Sequence, residues 1–259
     1  MKKNGLILFF TLTISGFLTY TYSQYSLVNN VSHQEISSRF FTNSNLHEIW
    51  NKLLYEHVSN DGKVNYESFK NDNEELLNYI RVLTLLSSKS QFKTLTKNEK
   101  LAFWINVYNA LTIDLIIRNY PVKSIKDIKN PWDQKIYTFN EKALSLNDIE
   151  HEILRKMDEP RIHFAIVCAS ESCPKLQNQA FVADMLEDQL TTATKEFLND
   201  NSKNRITKNE LELSKIFKWF SKDFKQQGSL ISFLNQYSEV EISEDAKIKY
   251  LDYSWELND

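Results

Sequence analysis

Glycine is scarce. Only Gly5, Gly16, Gly62 and Gly228 occur in 259 residues, and loops that cradle phosphate or dinucleotides need several glycines in one turn, so P-loop proteins, kinases and Rossmann enzymes are excluded. Histidines and cysteines are also few, and neither a Cys-x-x-Cys nor a His-x-x-x-His pair is present. No metal or cofactor is therefore expected. Basic charge is not clustered: without Lys2 and Lys3 the chain carries 31 − 2 = 29 basic against 34 acidic residues, a net charge of 29 − 34 = −5. Nucleic acid is not an expected partner, because such binding rests on Lys and Arg gathered on one face. Internal repeats and heptads are absent too.

Long apolar runs are confined to two places. Residues 1–23 have Lys2 and Lys3, an apolar run from Gly5 to Tyr20, and then Thr21, Tyr22 and Ser23; this is the plan of a secretory signal peptide, with small residues three and one positions before the cut. An exported protein, periplasmic or extracellular, is expected, with no membrane span after cleavage; the alternative is an uncleaved N-terminal anchor, for which the run is a little short against the ~20 residues a spanning helix needs. Residues 24–44 are polar and without a period, which predicts a linker or arm. One globular domain is expected over 45–259.

The second run is Leu101–Ile117. Thr96 to Glu99 has the outline of a capping box, so a helix over about 97–119 is predicted, apolar nearly all round and hence buried at the centre of the fold. Asn106, Asn109 and Asp114 interrupt it often enough to argue against a membrane span. Glu99, Asn106 and Asn109 share one face; they tie loops to the core or line a site. Helices are also predicted over 46–57, with His57 on the apolar stripe, and over 76–86, 182–197, 216–224 and 229–237. Residues 136–144 read as a hairpin and 211–213 as a strand, and the alternation of 251–257 predicts a half-buried strand. After a capping box at Ser145–Asp148, a helix should bury Ile149, Ile153 and Met157 and carry His151 and Arg155 on a more polar face. The expected class is α+β: a helix-rich single domain with a central buried helix and a small, mostly antiparallel sheet.

The two cysteines stand in Arg161-Ile-His-Phe-Ala-Ile-Val-Cys-Ala-Ser-Glu-Ser-Cys-Pro174. Ile162–Cys168 reads as a short buried strand, and Pro174 as a first helical position that would put Cys173 at a helix N-terminus, where amides and dipole favour a thiolate. In such a strand His163 and Cys168 would point to opposite faces, roughly 16 Å apart at ~3.3 Å per residue. His151 is then the better base for Cys173.

Asp61-Gly-Lys-Val-Asn-Tyr66, Leu101–Leu111, Ile149-Glu-His-Glu-Ile-Leu-Arg155, Ile162–Cys168, Ser172-Cys-Pro174 and Asp252–Asn258 occur in this order. Together they resemble the bacterial branch of domain of unknown function family 547, from about residue 60 to the end. The resemblance implies exported bacterial proteins and no agreed reaction; it also implies plant members without the Ser-Cys-Pro triplet, which weighs against Cys173 as essential.

Three functional readings follow. The favoured one is a domain that binds a small molecule, a peptide or an envelope partner, with Cys168 and Cys173 bridged, since paired cysteines in an oxidising compartment usually join. The alternative is a thiol hydrolase or acyltransferase with Cys173 as nucleophile, His151 as base and Asn106 or Glu99 as orienter, with His151, Cys173 and Asn106 converging on one cleft; Glu99, Asn109, Arg155 and His163 are the binding candidates. Glycan binding on Trp132, Trp219 or Trp255 has least support, because aromatics at such spacings are usually core.

Overall fold

The computed structural model describes residues 44–226 and 228–259; the expected signal peptide and all but the last residue of the expected arm lie outside them. A 3-10 turn, Ser44–His47, leads into helix α1 (Glu48–His57), which buries Trp50, Leu53, Leu54 and His57 on the predicted stripe. The turn that follows needs Gly62: φ is +83°, and a Cβ there would stand 2.2 Å from that of Lys175. Helices α2 (Tyr66–Asn71) and α3 (Asn73–Ser87) come next.

The predicted capping box then starts helix α4 (Lys97–Asn119), with the Thr96 amide donating to Glu99 Oε2 at 2.7 Å. Every residue from Leu101 to Ile117 is buried. By length and composition this helix could cross a bilayer, yet 94% of its most apolar window is packed inside the protein. It is the centre of the larger of two hydrophobic clusters.

Strands β1 (Tyr137–Phe139) and β2 (Lys142–Leu144) form the predicted antiparallel hairpin. Asn140 and Glu141 make its turn at φ 45° and 65°, matching the strand twist. Ser145 and Asp148 then cap a wide π turn over Asp148–Ile153, which tightens into 3-10 turns over Leu154–Met157. Burial follows the five-residue period of the wide turn, with Ile149 and Leu154 enclosed and Ile153 and Met157 only half-buried. The α-helical expectation is corrected by that one added residue.

Residues 162–168 are not a strand. Pro160 starts a 3-10 turn over Pro160–Phe164, with the Glu159 side chain accepting from the Arg161 amide, and a looping segment delivers Cys168. Apolar runs this short do not distinguish a strand from a buried turn. The groups a neighbouring strand would have paired are taken by Asn109, which donates to Ala165 O at 2.9 Å and accepts from Val167 N at 3.0 Å. Nor does a helix begin at Pro174. The chain stays irregular to Val182, buries Leu176 and Phe181, and enters helix α5 (Leu186–Asn199) after a 3-10 turn.

A second cluster is built by α5, the pair β3 (Arg205–Ile206) and β4 (Glu210–Leu213), and the short helices α6 (Ile216–Trp219), α7 (Ser221–Phe224) and α8 (Leu230–Leu234). Strand β5 (Lys247–Tyr250) pairs parallel to β4, whereas β3 and β4 are antiparallel. The sheets described are thus small and mostly antiparallel, within a helix-rich α+β fold.

The predicted strand over 251–257 is displaced: the regular strand ends at Tyr250. Beyond it the chain runs irregularly along the cysteine loop. Glu171 N donates to Glu256 O, Ser254 N donates to Ser172 Oγ, and Ser170 and Leu257 form one bridge. Its partner is a loop with Ala169 at φ 55°, so side chains substitute for part of a ladder.

Candidate active site

Where the two clusters meet, a cavity of about 260 Å³ opens, lined among others by Tyr108, Glu150, His151, His163, Cys168 and Cys173. Trp132, Trp219, Trp255 and Tyr253 make one wall, with ring centroids 4.7 to 5.8 Å apart. The three tryptophans named singly in the sequence therefore act together, as the apolar side of a cleft.

Both cysteines are free, so the expected bridge is not made; the sulfurs lie in contact at 3.3 Å. They are not equivalent. Cys168 is half-buried and its Sγ has Tyr253 Oη at 3.1 Å and Ser170 Oγ at 3.2 Å. Ser170 donates to Tyr253 Oη at 3.0 Å, which leaves the phenol proton for the sulfur. The contact with Cys173 lowers the Cys168 pKa against the opposing effect of burial, and the bond from Tyr253 lowers it further. Cys173 is enclosed, 4% exposed, and burial pushes its pKa well up. The helix-terminal activation expected for Cys173 is absent, and Cys168 is the thiol prepared to ionise.

Behind the thiols lies a charged cluster. Arg155 holds Asp223 with two bonds, Nε to Oδ2 at 2.6 Å and Nη2 to Oδ1 at 2.8 Å. Asp223 Oδ2 also lies 2.8 Å from His163 Nε2. Burial alone would raise the Asp223 pKa, but the bonds from Arg155 and His163 hold it well below the ordinary carboxylate range. An ionised carboxylate only accepts, so His163 Nε2 carries a proton and Nδ1 keeps the lone pair. Burial lowers the pKa of His163, with Asp223 opposing, and the ring is stacked on Phe220 at 3.8 Å. His163 is thus a neutral imidazole held in one orientation.

His151 has the opposite tautomer. Arg155 Nη1 is 3.1 Å from its Nδ1, and guanidinium only donates, so the neutral ring bears its proton on Nε2. Burial first, then the Arg155 charge, lowers its pKa. In this tautomer the Nε2 of His151 is a hydrogen-bond donor, on a residue that lines the cavity. Glu150 completes the floor: buried, it accepts from Tyr108 Oη at 3.2 Å, and desolvation raises its pKa to about 7.

Of the three residues expected to converge, Cys173 and His151 line the cavity and Asn106 does not; His163, expected only as a binding candidate, lines it too. Asn106 is fully buried between Phe181 O and N, at 2.7 and 3.0 Å, with His47 Nε2 at 3.4 Å. It fixes the irregular segment after Pro174. Glu99 caps α4, and Asn109 braces the approach to Cys168, so the side chains of this polar face tie a helix start and loops to the core. His57 is packed against Phe69 as expected; with Glu56 and Asp72 it brings three metal-type ligand atoms within 4.8 Å of one another, and none of the three lines the cavity.

Glu150, Asp223 and Tyr253 were not singled out in the sequence. Glu150 precedes His151 in the motif already quoted, and Tyr253 sits among the terminal aromatics. Asp223, in Lys222-Asp-Phe224, carries no local signal.

Residues 92–198 match the sequence model of the family described as "Protein of unknown function, DUF547". No curated protein and no solved structure matches the chain. The matched segment holds α4, Glu150 to Arg155 and both cysteines. Asp223 and the aromatic wall residues Trp219, Tyr253 and Trp255 lie beyond it.

Proposed function

We propose, for a chain whose residues 92–198 form a DUF547 segment, that the cavity is the active site of a cysteine-dependent acyl hydrolase or acyltransferase. Cys168 is the nucleophile, His163 the base and Asp223 the group that orients it. The observation that carries this reading is that an activated thiol and a carboxylate-held imidazole open into the same cavity. Nucleophile, base and orienter of these types recur in unrelated thiol enzymes.

In the reaction, Cys168 Sγ attacks the carbonyl carbon of an ester, thioester or amide while its proton passes to His163 Nδ1. The carbonyl π pair moves to oxygen, where the His151 Nε2–H can donate. Collapse expels the leaving group, which takes the proton from His163. Water or an acceptor alcohol, amine or thiol then attacks the Cys168 thioester with His163 as base, and the thiol is restored. Glu150 contributes by staying neutral up to about pH 7, since an ionised Glu150 would disfavour the neighbouring thiolate. The reading in which a bridge shapes a non-catalytic binding loop loses its main support with both thiols free. Export, on the pattern of residues 1–23, and a small-molecule or peptide substrate belong to this proposal.

Labelling with an aryl thioester, read by intact mass and peptide mapping, tests it. One acyl group on Cys168 is expected, absent in Cys168→Ala and retained in Cys173→Ala. Labelling on Cys173, or labelling that persists in Cys168→Ala, would overturn it.

A further inference from the structure

We propose that Cys168 and Cys173 are a redox-active dithiol that exchanges with low-molecular-weight disulfides, a second activity of the cavity that rests on Cys168 being its nucleophile. The sulfurs are 3.3 Å apart, and a disulfide bond is ~2.05 Å long. Closing it needs a movement of little more than an ångström. Cys173 lies in an irregular segment outside helix and strand, so no regular backbone ladder opposes that movement. The Cys168 amide donates to Cys173 Sγ at 3.0 Å, which holds the second sulfur against the first.

Access differs between the two. Cys168 is half-buried on the cavity and meets whatever enters; Cys173 is 4% exposed. This is the division between an attacking and a resolving thiol, in which the attacking thiol needs thiolate character and the resolving one needs only proximity. A cavity of about 260 Å³ admits a disulfide of small thiols.

The steps balance. Cys168 thiolate attacks one sulfur of R–S–S–R, forming a mixed disulfide and releasing RS⁻. The proton of Cys173 passes to that thiolate, giving RSH. Cys173 then attacks Cys168 Sγ, the mixed disulfide breaks, and a second RS⁻ leaves, taking up the proton that Cys168 gave up on ionising. The external disulfide is reduced to two thiols and the protein dithiol is oxidised. While the bridge is closed no nucleophile remains, so acyl transfer and disulfide exchange exclude one another.

The test uses the reduced full chain, oxygen-free, with cystamine as the disulfide and intact mass as the readout. Wild type should lose two hydrogens and keep no adduct. Cys173→Ser, which preserves the buried volume, should retain one cysteamine on Cys168, and Cys168→Ser should react at least tenfold more slowly. A lasting adduct on wild type, or equal rates for both variants, would overturn the proposal. Parallel aryl thioester labelling separates the two claims: acylation of Cys168 without bridge formation defeats only the exchange, and bridge formation without acylation defeats only the hydrolase reading.

Discussion

Glu150→Gln should stabilise the protein, by an amount that grows with pH in a calculable way. The buried carboxyl has a folded pKa of about 7 against 4.5 for the free group, a difference of 7 − 4.5 = 2.5 units. At ~1.4 kcal/mol per unit the limiting effect is about 3 kcal/mol. The sign follows from proton uptake: between 4.5 and 7 the native state keeps a proton that the unfolded chain has released, so rising pH favours unfolding. The penalty is under about 1 kcal/mol at pH 5, about 3 kcal/mol at pH 7 and nearly constant above. Glutamine has the same shape, can accept from Tyr108 Oη as Glu150 does, and never ionises. His47, whose pKa burial lowers to about 4, gives the opposite slope as pH falls below 6.5, but it is common to both proteins and cancels in their difference. Urea unfolding of wild type and variant at pH 5, 7 and 8.5 measures that difference. A gap that does not change with pH, or a variant less stable at pH 8.5, would refute the reasoning.

Other substitutions separate architecture from chemistry. Asn109→Ala leaves Ala165 O and Val167 N without their partner; buried groups stranded in this way should lower stability by ~2–5 kcal/mol and slow acylation of Cys168, as read by urea melts and labelling rates. Asp223→Asn replaces the acceptor of His163 Nε2 and should slow acylation on the order of 10²-fold or more with the fold retained by circular dichroism; an unchanged rate would remove His163 as the base. Thr96→Ala removes the hydroxyl of the α4 cap and should lower stability by ~1 kcal/mol without altering the labelling rate.

The central helix, its capping box and the 137–144 hairpin were legible because each carries its own local signal: a terminal hydroxyl with a returning glutamate, an apolar run of helical length, a turn between alternating segments. The cysteine segment was not. Its apolar run fits a strand and a buried turn equally well, and the deciding partner, Asn109, lies 58 residues away. That misreading had a consequence, since a straight strand would have kept His163 and Cys168 apart, whereas the observed turn brings both to one cavity. His151 does line the cavity, but its tautomer, which depends on the contact with Arg155, was not legible. Tyr253 and Asp223 reach the site from 85 and 60 residues beyond Cys168 and His163, distances over which periodicity says nothing.

The most direct test of the central claim is the pH dependence of alkylation at each cysteine, measured by timed iodoacetamide labelling and peptide mass. Cys168 should react first, with a midpoint below the ordinary thiol value of ~8.5, and Cys173 should stay protected while the protein is folded. Tyr253→Phe, which removes the donor 3.1 Å from Cys168 Sγ, should move that midpoint upward. If Cys173 is alkylated first, or Cys168 titrates at or above ~8.5 in the folded protein, then Cys168 is not an activated nucleophile and the account is contradicted.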